Sequence, residues 1–414
     1  MSLEVKRPEP VDHVIIENKD YKSDLKFTVH YTRKLLGILG VWPLVKRNSQ
    51  RRELIISSLL ITTGMLLVSF VMVPVLGFIV MRVKSLSGFL KVFGPATVSS
   101  SNFVKYWIFI FRRNTLKLCF EHVENDWKMA STVLDREIMK KNAIRGRRVC
   151  ILCMFFMYST GIMYHTLMPI WRGKKAQALN KSGRILPYPV YDLYLNAQAT
   201  PQFQIIFAVS CLTGCVLYTI RVASCSLVTI FVAHACGQVE IIRNRLDTLF
   251  DQLDDNIQLL NSRISFLVRT HVGLLRLVDT TQTALKEIFV VEVISATLII
   301  CLLEWRLTQW QTSDNVTIFT YFVVLISVTF NLIIFCCSGE LLMEQCEDIG
   351  KATYLSDWWK MRGTNGRALC LLIAMANIPR KFSAAGMMDL SVASFGAIIR
   401  TSVAYLNMLR TFNV

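Results

Sequence analysis

Few side chains in this 414-residue chain have the types and spacing that chemistry requires. Cys150 and Cys153 form a C-x-x-C pair, a pattern that can bind a metal or undergo redox chemistry. Free cysteine packs as a small apolar residue, so packing is the favoured interpretation of this pair. The six histidines do not cluster by spacing, and we find no metal-binding His/Glu motif, phosphate-binding loop or nucleophile motif. The sequence therefore predicts neither an enzyme nor a bound cofactor.

Two isolated polar residues lie in apolar surroundings instead. His165 could exchange a hydrogen bond with a carbonyl or hydroxyl ligand, or it could make a purely structural hydrogen bond. Arg221 interrupts an apolar stretch, where a cation is costly unless it meets a carboxylate, water or the membrane surface. The sequence does not identify the partner of Arg221. Both residues need membrane helices to position them.

Seven apolar stretches approach or exceed the roughly 20 residues that a helix needs to cross a bilayer. They cover residues 54–81, 86–111, 149–171, 203–232, 289–303, 316–337 and 384–408. The fifth is short by itself, and we expect it to continue back to residue 284. The predicted fold class is an all-α integral membrane protein with seven transmembrane helices and long cytoplasmic helical extensions.

Lys and Arg are concentrated in alternate segments between these spans. Of the 46, 33 lie before span one and in the second, fourth and sixth loops, whereas 9 lie in the opposite segments. Positive charge stays in the cytoplasm during insertion, which predicts a cytoplasmic N-terminus and an extracellular C-terminus. Both N-x-S/T sequons, at Asn180 and Asn315, fall in loops that this topology places outside, and they are the predicted glycosylation sites.

The composition agrees with a polytopic membrane protein and not with a soluble multidomain one. Hydrophobic residues make up 53% of the chain, and the mean hydropathy is +0.43. The formal net charge of +17 lies in short loops beside apolar spans, where insertion and anionic lipid explain it, so no nucleic-acid partner is predicted. The first fifty residues lack a cleavable apolar core, and we expect span one to act as its own insertion signal.

The spans and loops predict six segments along the chain. They are a cytoplasmic segment 1–53 with an interfacial helix near 35–43, helices one to four in 54–232 with an outer lid loop 172–202, a cytoplasmic helical hairpin 233–288, helices five and six in 289–337, a cytoplasmic half of helix seven in 338–383, and the last span with a short outer tail in 384–414. The hairpin carries one apolar stripe, which could pack within the chain or between subunits. The polar helical stretch from Gly339 is predicted to end at Pro379.

One face of the last span is small or weakly polar. It consists of Ala393, Ala397, Arg400, Thr401, Ala404, Met408 and Thr411. Such a face suits either close helix packing or a water-filled lumen, and spacing alone favours packing. On the lumen interpretation, Arg400 could influence permeation or end in a hydrated cavity without contacting ions.

Ordered motifs cover the chain from about residue 33 to its end. They include Lys105, Asp126-Trp127, Leu186-Pro187-x-Pro189, His234-x-x-x-Gln238, His271, Gly339-Glu340, Ala352-x-Tyr354-x-x-x-Trp358-Trp359, Pro379, Ala385-Gly386, Phe395 and Ala404-Tyr405. With these motifs, its length and its inverted seven-span topology, the sequence resembles the insect odorant receptor family. No single motif is specific, and the resemblance depends on their order.

The resemblance implies a ligand-gated, non-selective cation channel in the plasma membrane of olfactory neurons. It implies a tetramer in which an odorant-binding subunit joins a shared co-receptor and the last span of each subunit lines one pore. Arg400, Thr401, Ala404, Met408 and Thr411 would then face the pore, with Met408 at a hydrophobic gate and Thr411 in the outer vestibule.

Two features distinguish the chain within that family. The co-receptor's long insertion in the fourth loop is missing, which implies a tuning subunit. The chain has Ala404 where the family often has Ser, and Cys225 where it often has an acidic residue.

The resemblance also implies an odorant pocket in the outer half of the bundle, among spans two, three, four and six. The matching residues are Phe89, Phe93, Tyr158, Gly161, Tyr164, His165, Phe203, Phe207, Phe319, Tyr321 and Phe322. This aromatic set suits a small apolar or weakly polar ligand held by shape. Lipid contact or core packing is the alternative for each aromatic residue, and Gly161 could leave space for a ligand or for a neighbouring helix.

Three other classes of membrane protein fit the sequence less well. A G-protein-coupled receptor would need the opposite orientation, and usually an outer cysteine pair and an acidic-Arg-aromatic triplet after span three. A gustatory receptor shares the expected fold and channel mechanism but usually ends its last span with Thr-Tyr, where this chain has Ala404-Tyr405. A transporter would show internal repeats with broken helices, and we find no repeat.

Overall fold

Thirteen helices form nearly the whole of the part of the chain that the structure describes. The structure is a computed structural model and describes residues 18–178, 185–188, 199–251, 256–308, 314–360, 366–378 and 380–411. The helices are α1 (Tyr21–Thr28), α2 (His30–Ile38), α3 (Trp42–Val45), α4 (Arg51–Arg82), α5 (Leu86–Phe111), α6 (Arg113–Met129), α7 (Val133–Ile162), α8 (Met168–Ala178), α9 (Gln202–Asp247), α10 (Ile257–Thr308), α11 (Asn315–Leu355), α12 (Gly366–Ala376) and α13 (Val392–Thr411).

Five helical stretches in the described ranges are long and apolar enough to cross a bilayer. Four of them are the single helices α4, α9, α10 and α11. The fifth is the continuous stretch formed by α7 and α8. The predicted second and seventh spans are also helical, as α5 and α13, but they are not among those five. The all-α membrane fold predicted from the sequence is thus confirmed, while the orientation stays a prediction.

The membrane helices α9 and α10 continue far beyond the apolar stretches. With 46 and 52 residues at about 1.5 Å per residue, each is much longer than the roughly 30 Å hydrocarbon core. Their extensions form the two arms of the predicted hairpin, and its apolar positions Leu246, Leu249 and Leu260 are buried. The stripe therefore has partners within the chain, and a role in subunit assembly stays a prediction.

The segment before α4 differs from the single interfacial helix expected near residues 35–43. Helix α2 ends at Ile38, and the chain turns at Gly40 before α3 begins. Gly40 has a φ of +72°, and a Cβ there would lie 2.8 Å from the Leu60 Cβ, so only glycine fits. Tyr106 of α5 donates a hydrogen bond to the Leu39 carbonyl at 2.7 Å, which fastens this turn to the bundle.

The region after α11 also differs from the expected single helical stretch. Helix α11 ends at Leu355, a short 3₁₀ turn covers Trp358–Lys360, and α12 follows as a separate helix. Pro379, the expected breakpoint, lies outside the described residues. A two-stranded hairpin, β1 (Ser383–Ala384) with β2 (Met388–Asp389), then leads into α13.

Gly339 and Glu340 fix the start of α13. A Cβ on Gly339 would clash with the Leu390 carbonyl oxygen, so a larger residue would displace the chain entering α13. The Glu340 carboxylate accepts a hydrogen bond from the Val392 amide at 2.5 Å, which satisfies a free donor at the helix N-terminus. These contacts give the Gly339-Glu340 motif a physical reason.

Candidate ligand-binding site

A small cavity lies near the end of the bundle where α9 and α11 begin and α10 ends. We call this the outer end, following the predicted orientation. The cavity measures about 100 Å³ and is lined by Leu90, Gly94, Pro95, Val98, Tyr164, His165, Tyr188, Tyr218, Ile299, Leu302, Leu303, Arg306, Tyr321 and Val324. Its walls combine aliphatic side chains with four tyrosines, a histidine and an arginine. Such a lining can bind a small ligand by shape and orient it by a few hydrogen bonds.

A π-helical turn positions His165 between the cavity and the helix behind it. The turn covers Met163–Leu167 between α7 and α8, and His165 is only 4% exposed. Gly214 of α9 leaves the space for this ring, since a Cβ there would lie 2.8 Å from the His165 Cδ2. The His165 Nε2 and the Tyr188 hydroxyl share a hydrogen bond of 2.8 Å. The structural hydrogen bond considered from the sequence is therefore present, and ligand contact stays a prediction.

Residues 185–188 of the predicted lid loop pack inward, whereas residues 172–178 continue helix α8. Leu186 and Tyr188 are buried, and they contact a cluster that includes Val71 and Val75 of α4 and Ile206 of α9. This segment thus contributes Tyr188 to the cavity wall at the outer end. The rest of the loop that was predicted as a lid, including the sequon at Asn180, lies largely outside the described residues.

Three of the eleven residues predicted for the pocket line the cavity, namely Tyr164, His165 and Tyr321. Phe89 and Phe93 lie beside it, in a cluster with Leu90, Leu302 and Trp305. Leu302 and Leu90 belong to both the cluster and the cavity wall. The two phenylalanines therefore support the wall from behind.

The other predicted pocket residues lie farther from the cavity. Phe203 and Phe207 stack with ring centroids 6.1 Å apart, on the cluster that holds Leu186. Tyr158 shares a 2.8 Å hydrogen bond with Thr219, and a Cβ on Gly161 would lie 2.8 Å from the Tyr218 ring, so Gly161 makes room for a neighbouring helix. Phe319 and Phe322 are 57% and 51% exposed on the surface of α11.

The predicted small face of α13 is exposed in the single subunit. Ala393, Ala397, Arg400, Thr401, Ala404, Met408 and Thr411 are all exposed. On the opposite face Ile398 and Ser402 are buried, and Ser402 donates a hydrogen bond to Glu304 of α10 at 3.3 Å. Leu406 packs on the cluster of Phe93 and Leu302 beside the cavity. Helix α13 therefore contacts the cavity wall with one face and leaves the other available to a lumen or to a neighbouring subunit.

Comparison with known proteins identifies the family. The family described as 7tm Odorant receptor matches residues 85–403, which is most of the chain. This protein is a member of the insect odorant receptor family.

Its relatives include Odorant receptor 13a of Drosophila melanogaster, which is 21% identical over 64% of this chain and 67% of its own length. Odorant receptor Or2 of Anopheles gambiae is 21% identical over 73% of this chain and 78% of its own length. The fold is similar to that of the insect olfactory receptor OR5 from Machilis hrabei, solved in complex with eugenol. That match has a TM-score of 0.81 at 15% identity and covers 95% of this chain and 100% of the other. The family is one of receptors and not of enzymes.

A buried ionic network lies deeper in this odorant receptor, towards the inner side of the cavity. The Glu292 carboxylate of α10 pairs with Lys105 of α5 and with Arg221 of α9, the latter at 3.1 Å. Asn331 of α11 donates a hydrogen bond to the same carboxylate at 2.6 Å. Lys105 and Glu292 are at most 1% exposed, so each charge depends on its partners for stability. Glu292 is thus the partner of Arg221 that the sequence left unidentified.

The carboxylate beside Arg221 is supplied by α10, while Cys225, one turn further along α9, is buried. The C-x-x-C pair is structural in the same region, since Cys150 and Cys153 are buried and Cys153 lies 3.7 Å from the Asn331 amide oxygen. Among the described residues, no group of His, Cys, Asp and Glu side chains could hold a metal ion.

Tyr218 and Arg306 line the cavity but were absent from the set predicted for the pocket. Tyr218 lies three residues before Arg221, on the same side of α9, and this spacing was a usable signal. Arg306 lies beyond the fifth apolar stretch, where hydropathy places it in a loop. Its guanidinium lies 5.0 Å from the ring centroid of Trp305. Helix α10 continues past it to Thr308, and that continuation places it beside the cavity.

Proposed function

We propose that the protein is the odorant-binding subunit of a heterotetrameric, ligand-gated, non-selective cation channel. The odorant would enter the cavity at the outer end, and its binding would depolarise the olfactory neuron in whose plasma membrane the channel resides. The proposal depends on one observation. Leu302 lines the cavity and also belongs to the cluster that contacts Leu406 of α13. A ligand that moves this wall acts directly on the last helix.

The proposed ligand is a small, weakly polar volatile compound. Aliphatic and aromatic walls favour an apolar body, while Tyr164, Tyr218, Tyr321 and His165 offer hydrogen-bonding groups. The similar receptor from Machilis hrabei was solved with eugenol, a compound of that general kind. The eleven pocket residues named from the resemblance remain the proposed contact set, with the cavity-lining Tyr164, His165 and Tyr321 as its centre.

The proposed pore face is the exposed stripe of α13, from Arg400 through Thr401, Ala404 and Met408 to Thr411. Four such helices around one axis would surround a lumen of small and weakly polar side chains with a methionine constriction. The family's shared co-receptor is the proposed partner, because this chain lacks the long fourth-loop insertion that marks the co-receptor. Asn315 is exposed at the start of α11 and is a proposed glycosylation site, together with Asn180.

Whole-cell current tests this function directly. Cells would express the chain alone, an insect odorant co-receptor alone, or both, and would receive a broad volatile panel. We expect a fast, reversible cation current that requires both chains and differs from any current of the co-receptor alone.

The controls separate the parts of the proposal. A current from this chain by itself would contradict the tuning-subunit role, while leaving the channel intact. A slow response that disappears when G proteins are blocked would contradict the channel mechanism and the predicted orientation. Surface labelling of the chain in each transfection ensures that a silent combination reflects function and not trafficking.

A further inference from the structure

A second, larger cavity lies at the opposite end of the bundle. It is an open groove of about 660 Å³ between the N-terminal helices and α6, far from the odorant cavity. Its volume falls in the range of small-molecule binding sites. Nothing in the proposed channel mechanism uses it.

The rim of the groove is strongly basic. It carries six cations, Lys22, Lys26, Arg33, Lys46, Arg47 and Lys128, against two carboxylates, Glu121 and Glu124. Lys46 pairs with Glu53 at 3.1 Å, and both Arg47 and Lys128 approach the same Glu124 carboxylate. Lys22, Lys26 and Arg33 make no ion pair with any described residue. The rim therefore has several positive charges left to meet an anion of more than one negative charge.

The inner wall of the groove is apolar. Leu25, Val29, Trp42, Val45 and Phe120 form it. Trp42 lies edge-on to Phe120, with ring centroids 5.3 Å apart, and Arg33 lies over the outer side of Trp42 at 5.9 Å. A basic rim above an aromatic and aliphatic wall matches an amphiphile that has an anionic head and a hydrocarbon tail. It does not match a simple inorganic anion, which would gain nothing from the apolar wall.

Contacts connect the groove to the start of α4, which the predicted orientation places at the inner surface of the membrane. Lys46 binds Glu53 in the first turn of α4, and Ser57 of α4 donates a hydrogen bond to the Gly40 carbonyl. The next apolar residues of α4, including Ile55 and Ile56, are 62% and 57% exposed, as expected for side chains that face lipid. A lipid beside α4 can therefore reach the rim with its headgroup while its tails stay in the membrane.

We propose that this groove binds one anionic phospholipid of the cytoplasmic leaflet, with a headgroup that carries more than one negative charge. The phosphate groups lie among Lys22, Lys26 and Arg33, and the upper part of one acyl chain lies against Trp42 and Phe120. Bound lipid would connect the helices α1, α2 and α3 to α6 and so stabilise the cytoplasmic end of the subunit. This site is independent of the odorant cavity.

The test uses the full chain, purified with its co-receptor in nanodiscs of phosphatidylcholine. The probe is dioctanoyl phosphatidylinositol 4,5-bisphosphate, and binding is measured by titration. The variant Lys22→Gln/Lys26→Gln removes two exposed rim cations, and we expect it to weaken binding about tenfold or more, since basic side chains near the membrane surface attract anionic headgroups. The matched control is Arg269→Gln/Arg276→Gln, which removes two exposed cations from the cytoplasmic part of α10 and should leave the affinity unchanged.

Three comparisons give the outcomes that would overturn the proposal. Equal weakening by both double variants would indicate general electrostatic attraction without a specific groove. Unchanged affinity in Lys22→Gln/Lys26→Gln would exclude the rim. If inositol 1,4,5-trisphosphate competed with the same potency as the dioctanoyl lipid, the groove would be a site for a free organic phosphate and not for a lipid. The proposal requires that the dioctanoyl lipid bind more tightly than the dibutanoyl form, because only a longer chain reaches the apolar wall.

Discussion

The two halves of α9 differ in how completely they are packed. From Thr219 to Val232 every side chain is buried, whereas from Phe203 to Tyr218 buried and partly exposed residues alternate. The first half reaches the candidate cavity through Tyr218, and the second forms the centre of the main hydrophobic core. Close-packed interiors transmit strain and yield little, while a region with free volume can adapt to different ligands. The chain thus combines an adaptable outer end with a rigid inner support.

The polar groups of the two halves differ in the same way. In the inner half Glu292 joins α5, α9 and α10 through full charges that have no access to water. At the outer end His165 and Tyr188 share one neutral hydrogen bond between α7–α8 and a loop. Tyr218 and Arg221 lie one turn apart on α9 and connect the two regions. Disrupting the inner network should therefore cost stability, and disrupting the outer contact should alter ligand response.

Glu292→Gln should have the largest effect of any single change. It leaves Lys105 and Arg221 buried without a compensating charge, and breaking a buried ion pair in this way costs about 3–5 kcal/mol. We expect little folded receptor at the cell surface. Surface labelling and the thermal unfolding midpoint of detergent-solubilised receptor measure this loss.

Glu287→Gln provides the matched control. Glu287 lies five residues earlier on α10 and pairs with Arg112, but both side chains are about one-third exposed. Exposed pairs contribute about 0–1 kcal/mol, so this variant should reach the surface normally. If both variants reached the cell surface at equal levels, the buried ion pairs of the inner half would contribute no more to stability than the partly exposed Glu287–Arg112 pair.

Gly214→Ala should have the next largest effect, and it should act on ligand response. The new methyl group would lie 2.8 Å from the His165 ring and force that ring towards the cavity. Overpacking of this kind costs about 1–3 kcal/mol. We expect a smaller cavity and weaker responses to the larger members of an odorant panel.

Gly273→Ala is the control for Gly214→Ala. Gly273 also lies within a long helix, but a Cβ there has no atom within 4 Å. Its dose–response curves should match those of the wild type. If Gly214→Ala also left every curve unchanged, the position of the His165 ring would not determine cavity size.

His165→Leu and Tyr188→Phe should each shift ligand preference by a smaller amount while trafficking is preserved. Each removes one side of the same hydrogen bond, worth about 0.5–1.5 kcal/mol net. The double variant should shift preference no more than the larger single change, because the two residues act as one contact. Additive shifts across the panel would show that His165 and Tyr188 contact the ligand separately. An unchanged panel in His165→Leu would remove His165 from the site.

The sequence predicted those features of the fold that depend on local patterns. Hydropathy located the five described helical stretches that are long and apolar enough to cross a bilayer, and the missing Pro and regular apolar spacing after residue 238 indicated the long extensions of α9 and α10. The partner of Arg221 could not be predicted in this way, since Glu292 lies 71 residues away and only the packed bundle brings the two together. Pairing over such a distance leaves no periodic signal in the sequence.

The candidate site was predicted less completely for a related reason. A phenylalanine in a membrane helix has the same hydropathy whether it faces lipid or a cavity, so Phe319 and Phe322 could not be distinguished from Tyr321 by type. Tyr188 was recognised only as part of a lid, because its inward direction depends on the packing of Leu186. For α13, spacing alone favoured close helix packing of its small face, and only the family resemblance implied a lumen; this face is exposed in the described subunit.

Ser402→Ala and Thr401→Val test the two faces of α13 and should have the smallest effects. Ser402 contacts Glu304 on α10, whereas the adjacent Thr401 lies on the exposed stripe and bonds only to Ala397 of its own helix at 2.8 Å. Loss of one hydrogen bond between helices should shift the half-maximal odorant concentration by about two- to tenfold without changing single-channel conductance. Thr401→Val should do the reverse, altering conductance or ion selectivity at an unchanged odorant sensitivity. If both variants changed only odorant sensitivity, or both changed only conductance, the two faces of α13 would not have separate roles in contacting the cavity wall and lining the lumen.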